Sequence, residues 1–302
     1  MTQPGRGLEF GFFPAPYAAA HEDLLRQVQL AEDLGYDLIG IQDHPYQRRF
    51  LDTFTLLPWL AARTERIRLF PDVAHLPLRP PAMLAKAMAS LDVLSRGRSE
   101  LGIGAGAFSD ASQAMGAPAR SGLQALAALE EAITIIRRFW EAPEQGIHHA
   151  GVHYRLGGVK AGPAPAHDIG IWVGGGGPKM LELIARMGDG WIAPAARYLS
   201  GPGELLAKQS QLDRAAEAQG RDPSAIRRAY AGSGVISDRP ADEDGTGTVT
   251  QWIEHLESLA AEGFDTFIFW PEDVTDEQLH AFAEIAGTLR RTVGRSTVAG
   301  TG

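Results

Sequence analysis

Eight times along the chain a short apolar, strand-like run is followed by a segment of helical periodicity, and this alternation restricts the fold more than any other feature. The strand-like runs lie at 8–13, 37–42, 67–73, 99–106, 169–175, 190–194, 229–237 and 264–270. Helices are expected from about Asp23 to Leu34, from an Asp52 cap to about Arg63, and near 81–94, 122–140, 178–187, 203–219, 248–262 and 276–292. Pro58 should kink the second of these or delay its start. In the fourth, Leu126, Leu129, Ile133, Ile136 and Trp140 recur at three- and four-residue steps, the stripe of a helix with one buried face.

Eight β-then-α units are the count of a (β/α)8 TIM barrel, whereas a doubly wound sheet usually stops near five or six strands. A single barrel over residues 1–294 is therefore expected. An inserted loop or hairpin should occupy about 143–168, between helix 4 and strand 5, where "HHAGVHYRLGG" lies between proline-rich flanks. Residues 295–302 are small and polar enough for a flexible tail.

The absence of cysteine excludes disulfides, thiolate nucleophiles and Cys-ligated metal or iron–sulfur centres, so redox work would need a bound organic cofactor. A formal net charge of −9 without a long basic run lacks the electrostatic footprint of a nucleic-acid binder. An anionic cofactor would have to be held locally. No apolar stretch is long enough for a signal peptide or a membrane span, which makes the cytoplasm the expected location.

Barrel enzymes build their sites at the C-terminal ends of the strands. There the run "LIGIQDHPY" (38–46) passes from buried aliphatics to Asp43, His44 and a stop at Pro45. In "IWVGGGGPKM" (171–180), glycines let backbone amides approach an anion, and the helix that follows adds its positive dipole end. A turn needing glycine only for positive φ is the alternative. "FPDVAHLPLRPP" (70–81) offers His75 either to solvent or to a site.

The ordered set "AEDLGYDLIGIQDH", "RIRLFPDVAHLPLRPPAMLAKAMASLDVLSRGRSELGIGAG", "EEAITIIRRFW" and "GIWVGGGGPKMLELIARMGDGW" resembles the bacterial luciferase-like superfamily of flavin- and deazaflavin-dependent oxidoreductases over roughly residues 8–195. The resemblance implies a barrel, usually dimeric, that binds FMN or coenzyme F-420 at its C-terminal mouth. It places Asp43 near the ring and His44 at the reacting centre, as an acid or base suited by a pKa near neutrality. It implies a non-proline cis peptide at Asp72–Val73 supporting the back of the ring. A strand-four loop with Gly104 and Gly106 and a phosphate loop at Gly174, Gly175, Gly176, Gly177 and Pro178 complete the cofactor contacts. Tyr46, His75 and Phe108 fall on the substrate side.

Two departures narrow what the resemblance implies. Luciferase proper has a phosphate-binding arginine where this chain has Ala105, and the F-420-dependent sugar-phosphate dehydrogenases have a glutamate where it has Ala107. The Asp43–His44 pair resembles the form found in many deazaflavin enzymes and tilts the cofactor toward F-420. The expected protein is thus an oxidoreductase carrying reduced F-420 or FMN, which transfers hydride to a small organic substrate or oxygenates it. Alternatives are an FMN monooxygenase fed by a separate reductase, a non-catalytic flavin-binding subunit, and a metal-dependent barrel hydrolase built on Asp43, His44 and His75. No closely spaced metal-ligand pair supports the last.

Overall fold

Strands as continuously apolar as Leu38–Ile41 and Leu101–Gly104 must be covered on both faces. In the computed structural model, which describes residues 7–141, 145–195, 199, 202–240 and 246–299, the sheet closes into a barrel inside a ring of helices. In chain order the elements are β1 (Glu9–Phe12), α1 (His21–Asp33), β2 (Leu38–Ile41), α2 (Thr53–Ala61), β3 (Arg68–Pro71), β4 (Ala74–His75), α3 (Pro81–Ser95) and β5 (Leu101–Gly104). There follow α4 (Ser109–Ala114), α5 (Gly122–Trp140), β6 (Ile147–Ala150), β7 (Arg155–Val159), β8 (Ile171–Gly174), α6 (Pro178–Met187) and β9 (Gly190–Ile192). The chain ends with α7 (Pro202–Ala218), β10 (Arg227–Ile236), β11 (Thr246–Gly247), α8 (Val249–Ala261), β12 (Thr266–Pro271) and α9 (Asp276–Ala299).

The sheet runs β3-β2-β1-β12-β10-β9-β8-β5-β4, with parallel pairing throughout. Its ends meet where the Leu69 amide donates to Arg98 O at 2.9 Å and the Glu100 amide to Leu69 O at 3.2 Å. The third strand is thus split: β3 pairs with β2, β4 pairs with β5, and the cis peptide Asp72–Val73 lies between them. Counting β3 and β4 as one unit leaves the eight β/α units of a TIM barrel, and the expected insertion is the antiparallel hairpin β6–β7. Among the described residues no helix is long and apolar enough to cross a membrane.

Three local features were not expected from the sequence. Asp52 caps α2 through Thr55 N–H at 3.0 Å, so Pro58 does not delay the helix, and the ladder resumes when Ala62 N–H donates to Pro58 O at 3.1 Å. The short α4 gave no periodic signal, because only Ser112 of its six residues is buried. Beyond residue 294, α9 continues through Ala299. Residues 300–302 lie outside the described residues.

Two apolar layers result. One packs barrel against helices; the other fills the barrel with Leu38, Phe70, Trp172, Ile192, Ala229 and Ile268 below Phe13. At the N-terminal end a charged ring closes the base: Arg68 joins Glu9 at 2.5 Å and Glu100 at 2.9 Å, and Arg227 joins Glu9 at 2.6 Å. The opposite end is left for the site.

The seam depends on Gly102, where an added Cβ would lie 2.2 Å from Pro71 O, a backbone atom that cannot yield without moving the strand that carries Asp72. Gly102→Ala should therefore destabilise the fold by about 1–3 kcal/mol or more, as overpacking does, measured by urea denaturation.

Candidate functional site

The C-terminal ends of the strands surround a cavity of about 530 Å³ that is mostly apolar. Gln42, Asp43 and His44 reach it from the end of β2, Asp72 and Val73 from the break in the third strand, and Gly104 to Phe108 from the end of β5. Gly174 and Gly175 contribute from β8, and Phe13 and Trp270 from β1 and β12, their rings 4.8 Å apart.

Asp43 is 2% exposed, and a carboxylate so buried requires partners. Arg79 grips both oxygens, Nη2 to Oδ1 at 2.8 Å and Nε to Oδ2 at 3.1 Å, while Oδ2 also accepts the His75 amide at 2.9 Å. The same guanidinium reaches Asp52 and lies over the Phe54 ring with Cζ 4.6 Å from its centre. Burial pushes the Asp52 carboxyl up, but the hydrogen bond and charge of Arg79 outweigh it and leave the pKa below the ordinary value.

His44 stands next to this anchored pair. Burial lowers its pKa, against the raising effect of Asp43, and holds the ring neutral near pH 7. Nδ1 is 2.5 Å from the Tyr46 hydroxyl, whose own pKa burial pushes up to about 12, so the phenol keeps its proton. Nε2 makes no hydrogen bond among the described residues. If Tyr46 donates to Nδ1, Nε2 carries a proton to give; if the ring donates to Tyr46, Nε2 is free to accept one.

Phe108, at φ +54° and 61% exposed, packs edge-on against His44 at 5.6 Å and leans on Tyr46 at 6.0 Å. His75 is buried, its Nε2 lies 2.6 Å from Ser112 Oγ, and its ring is 5.5 Å from that of Tyr46. His44, Tyr46, His75 and Phe108 therefore form one wall. Burial also lowers the His75 pKa.

The opposite wall is nearly side-chain-free. Val73 fits between Gly104 and Gly174, where added Cβ atoms would meet its methyls at 2.8 and 3.1 Å. Gly106, at φ +102°, lets the chain pass Pro77 at a distance no side chain would allow. Gly175 takes φ +140°, Gly177 caps α6, and Pro178 is its first residue. The amides of Gly176, Gly177 and Lys179 donate to nothing among the described residues, so three N–H groups remain available at a helix N-terminus. Gly176, Gly177 and Pro178 stand at the rim rather than on the cavity wall. Lys208 crosses this loop, its Nζ 3.0 Å from both Gly176 O and Glu204.

Phe13, Arg79, Ser112, Lys208 and Trp270 were not singled out from sequence. A charged residue caught between prolines in "PLRPP" was a usable signal for Arg79, and an aromatic near the C-terminal end of β12 for Trp270. Ser112 and Lys208 gave none. Among the described residues no three of His, Asp or Glu converge as a metal set.

A parallel eight-unit barrel with an apolar mouth, a neutral imidazole on one wall and free amides at the rim defines a small-molecule site suited to a flat ring with an anionic tail. The chain belongs to the luciferase-like monooxygenase family, whose family model matches residues 8–257. It is 31% identical over 230 residues to an F-420-dependent glucose-6-phosphate dehydrogenase of Kineococcus radiotolerans, covering 74% of this chain and 67% of that one. It is 32% identical over 250 residues to a 5,10-methylenetetrahydromethanopterin reductase of Archaeoglobus fulgidus, covering 82% and 70%. The fold matches the coenzyme F-420-dependent tetrahydromethanopterin reductase of Methanopyrus kandleri with a TM-score of 0.79 at 19% identity, over 92% of this chain and 98% of that one.

Arg79→Ala should cost about 3–5 kcal/mol in urea denaturation, because it leaves the Asp43 carboxylate buried without a counter-charge. Adding Asp43→Asn should return part of that loss. Because the Asp52 pKa is depressed, its pairing stabilises the fold above the unfolded value of about 4 and is lost as pH falls through the depressed one. The acid limb of the stability profile should therefore be shallower in Arg79→Ala than in the wild type.

Proposed function

We propose that the protein is an oxidoreductase that holds F-420, or else FMN, across the barrel mouth and acts on a small organic substrate. The observation that carries this is one juxtaposition: a neutral His44 with a free Nε2 faces an apolar cavity whose glycine wall leads to free amides at the start of α6. The family and the names of its relatives support the cofactor class, and the Asp43–His44 sequence supports the lean to F-420. When bound, the ring supplies hydride transfer, or oxygen activation if it is a flavin.

The chain's own part is placement and proton management. The glycine wall beside Val73 would leave room for a flat ring, and the amides of Gly176, Gly177 and Lys179 would hold its phosphate. His44 gives or takes the proton at the substrate, with Tyr46 completing the tautomer switch at Nδ1. Asp43 fixes His44 through the backbone while Arg79 fixes Asp43. Phe108, partly exposed over His44, and Tyr46 contact the substrate and exclude water. With Ala107 at the position of the sugar-phosphate dehydrogenases' glutamate, the acid–base function rests on His44 and the substrate lies outside that class.

The proposal includes a cytoplasmic setting, a separate reductase that returns the cofactor to its reduced form, and a homodimer. Met83 and Leu94, 65% and 77% exposed at positions of α3 that share a face, support the last.

Titrations with F-420 and with FMN, followed by absorbance and fluorescence, test the cofactor. Tight binding of F-420 supports hydride transfer, tight binding of FMN alone makes a reductase-fed monooxygenase the function, and binding of neither overturns the proposal. His44→Ala should lower turnover by roughly 10²–10⁴ while changing cofactor affinity little. Unchanged turnover removes His44 from the mechanism.

A further inference from the structure

Asp72 lines the cavity without a task in the proposed chemistry. Asp72, between β3 and β4, turns its side chain into the barrel, where an added Cβ on Gly40 would lie 3.0 Å from its Oδ2 and the same distance from the Phe70 ring. Gly40 and Phe70 thus form a bed for the carboxyl, and any side chain at position 40 would displace it. Asp72 lines the cavity from that bed. Its amide is bonded to Ile41 O at 2.8 Å, but its carboxyl has no hydrogen-bond or ion-pair partner among the described residues. A half-buried carboxyl in an apolar cavity, with neither counter-charge nor protein donor, is favoured as the acid over the anion. Burial accordingly pushes its pKa up to about 7.

The neighbouring elements do not supply the missing charge. At the end of β2, Asp43 is neutralised by Arg79, which follows β4, and His44 beside it is held neutral by burial. On β4, His75 is likewise neutral and engaged by Ser112. Around the rest of the mouth the residue after β1 and the lining residues of β5, β8, β9, β10 and β12 are uncharged: Phe13, Gly104, Gly174, Ile192, Ala231 and Trp270. Asp72 is therefore the group in the cavity whose charge changes near neutral pH without compensation from a partner.

We propose that Asp72 is a cofactor-contacting residue that receives the reduced ring as the neutral acid, so that binding of the anionic reduced ring takes up one proton at its carboxyl. This rests on the reading of the cavity as a flavin or deazaflavin site. Reduced rings of both kinds ionise to an anion near neutrality. An ionised Asp72 in the same apolar cavity repels that anion, whereas a protonated one donates a hydrogen bond to it. The proton comes from solvent, and no electron is transferred in the binding step. Affinity for the reduced cofactor must then fall as pH rises through the Asp72 pKa.

The test is the dissociation constant of reduced FMN and of reduced F-420, measured anaerobically by fluorescence from about pH 6 to about pH 9, for the wild type and for the isosteric Asp72→Asn. In the wild type the constant for the cofactor that binds should rise toward tenfold per pH unit above about pH 7, and in Asp72→Asn that rise should be absent. Parallel profiles in the two proteins, or a flat wild-type profile, overturn the role of Asp72 and leave the functional reading standing. Binding of neither cofactor at any pH overturns the functional reading and this inference with it.

Discussion

The grip of Arg79 on Asp43 is the interaction on which the geometry of the site depends. One guanidinium joins the end of β2, the turn after β4 and the cap of α2, three segments that the barrel hydrogen bonds alone do not tie together. Asp43 passes the constraint on through its bond to the His75 amide, which sets where β4 resumes after the break in the third strand. Since β4 pairs with β5 at His75 and Gly104, the same bond governs how Val73 is presented to Gly104 and Gly174. The ion pair is well placed to hold this geometry: it is buried on the Asp43 side and covered by Phe54 on the other.

That a cavity exists is a matter of missing side chains. The inside of a small barrel is ordinarily filled by layers of residues from alternating strands. Here Phe70, Trp172, Ile192 and Ile268 fill the lower layers, and the charged ring of Glu9, Arg68, Glu100 and Arg227 closes the base. At the level above, the corresponding positions of β5 and β8 are Gly104 and Gly174, and the layer is left open on that side. Glycine at these sites is set less by backbone conformation than by Val73, which occupies the space their side chains would need.

Much of this was legible in the sequence because periodicity reports burial, and burial in a barrel repeats eight times. The strand ends identified the mouth, and the passage from Ile41 to Asp43 and His44 marked where the aliphatic run opens onto it, although the cavity there is mostly apolar and Asp43 is buried against Arg79. What stayed hidden has a common character. Arg79 and Asp43 are 36 residues apart, and nothing in local spacing announces such a pair. The helix α4 carries Ser112 to His75 while leaving its other faces to solvent, so it produces no apolar stripe. The isolation of the Asp72 carboxyl is a property of what does not surround it, which no motif records.

Burial acts on the site's ionisable groups in opposite directions with one result. It lowers the imidazoles of His44 and His75 and raises the carboxyl of Asp72, and in each case the neutral form gains near pH 7. Asp43, which lines the cavity, has its charge offset by the hydrogen-bonded Arg79 behind it, a guanidinium shared with Asp52 outside the wall. A flat ring entering the cavity therefore meets an apolar, uncharged surface, while the fixed positive potential of the site is displaced to the rim, where the α6 dipole and free amides lie. This separation lets one molecule be held by its anionic tail without a strong field being imposed on its ring. Under those conditions a single proton, at His44 or at Asp72, is the largest change in charge the cavity undergoes. A ring bound there would answer to few protons, because the fold admits so little other charge to the cavity.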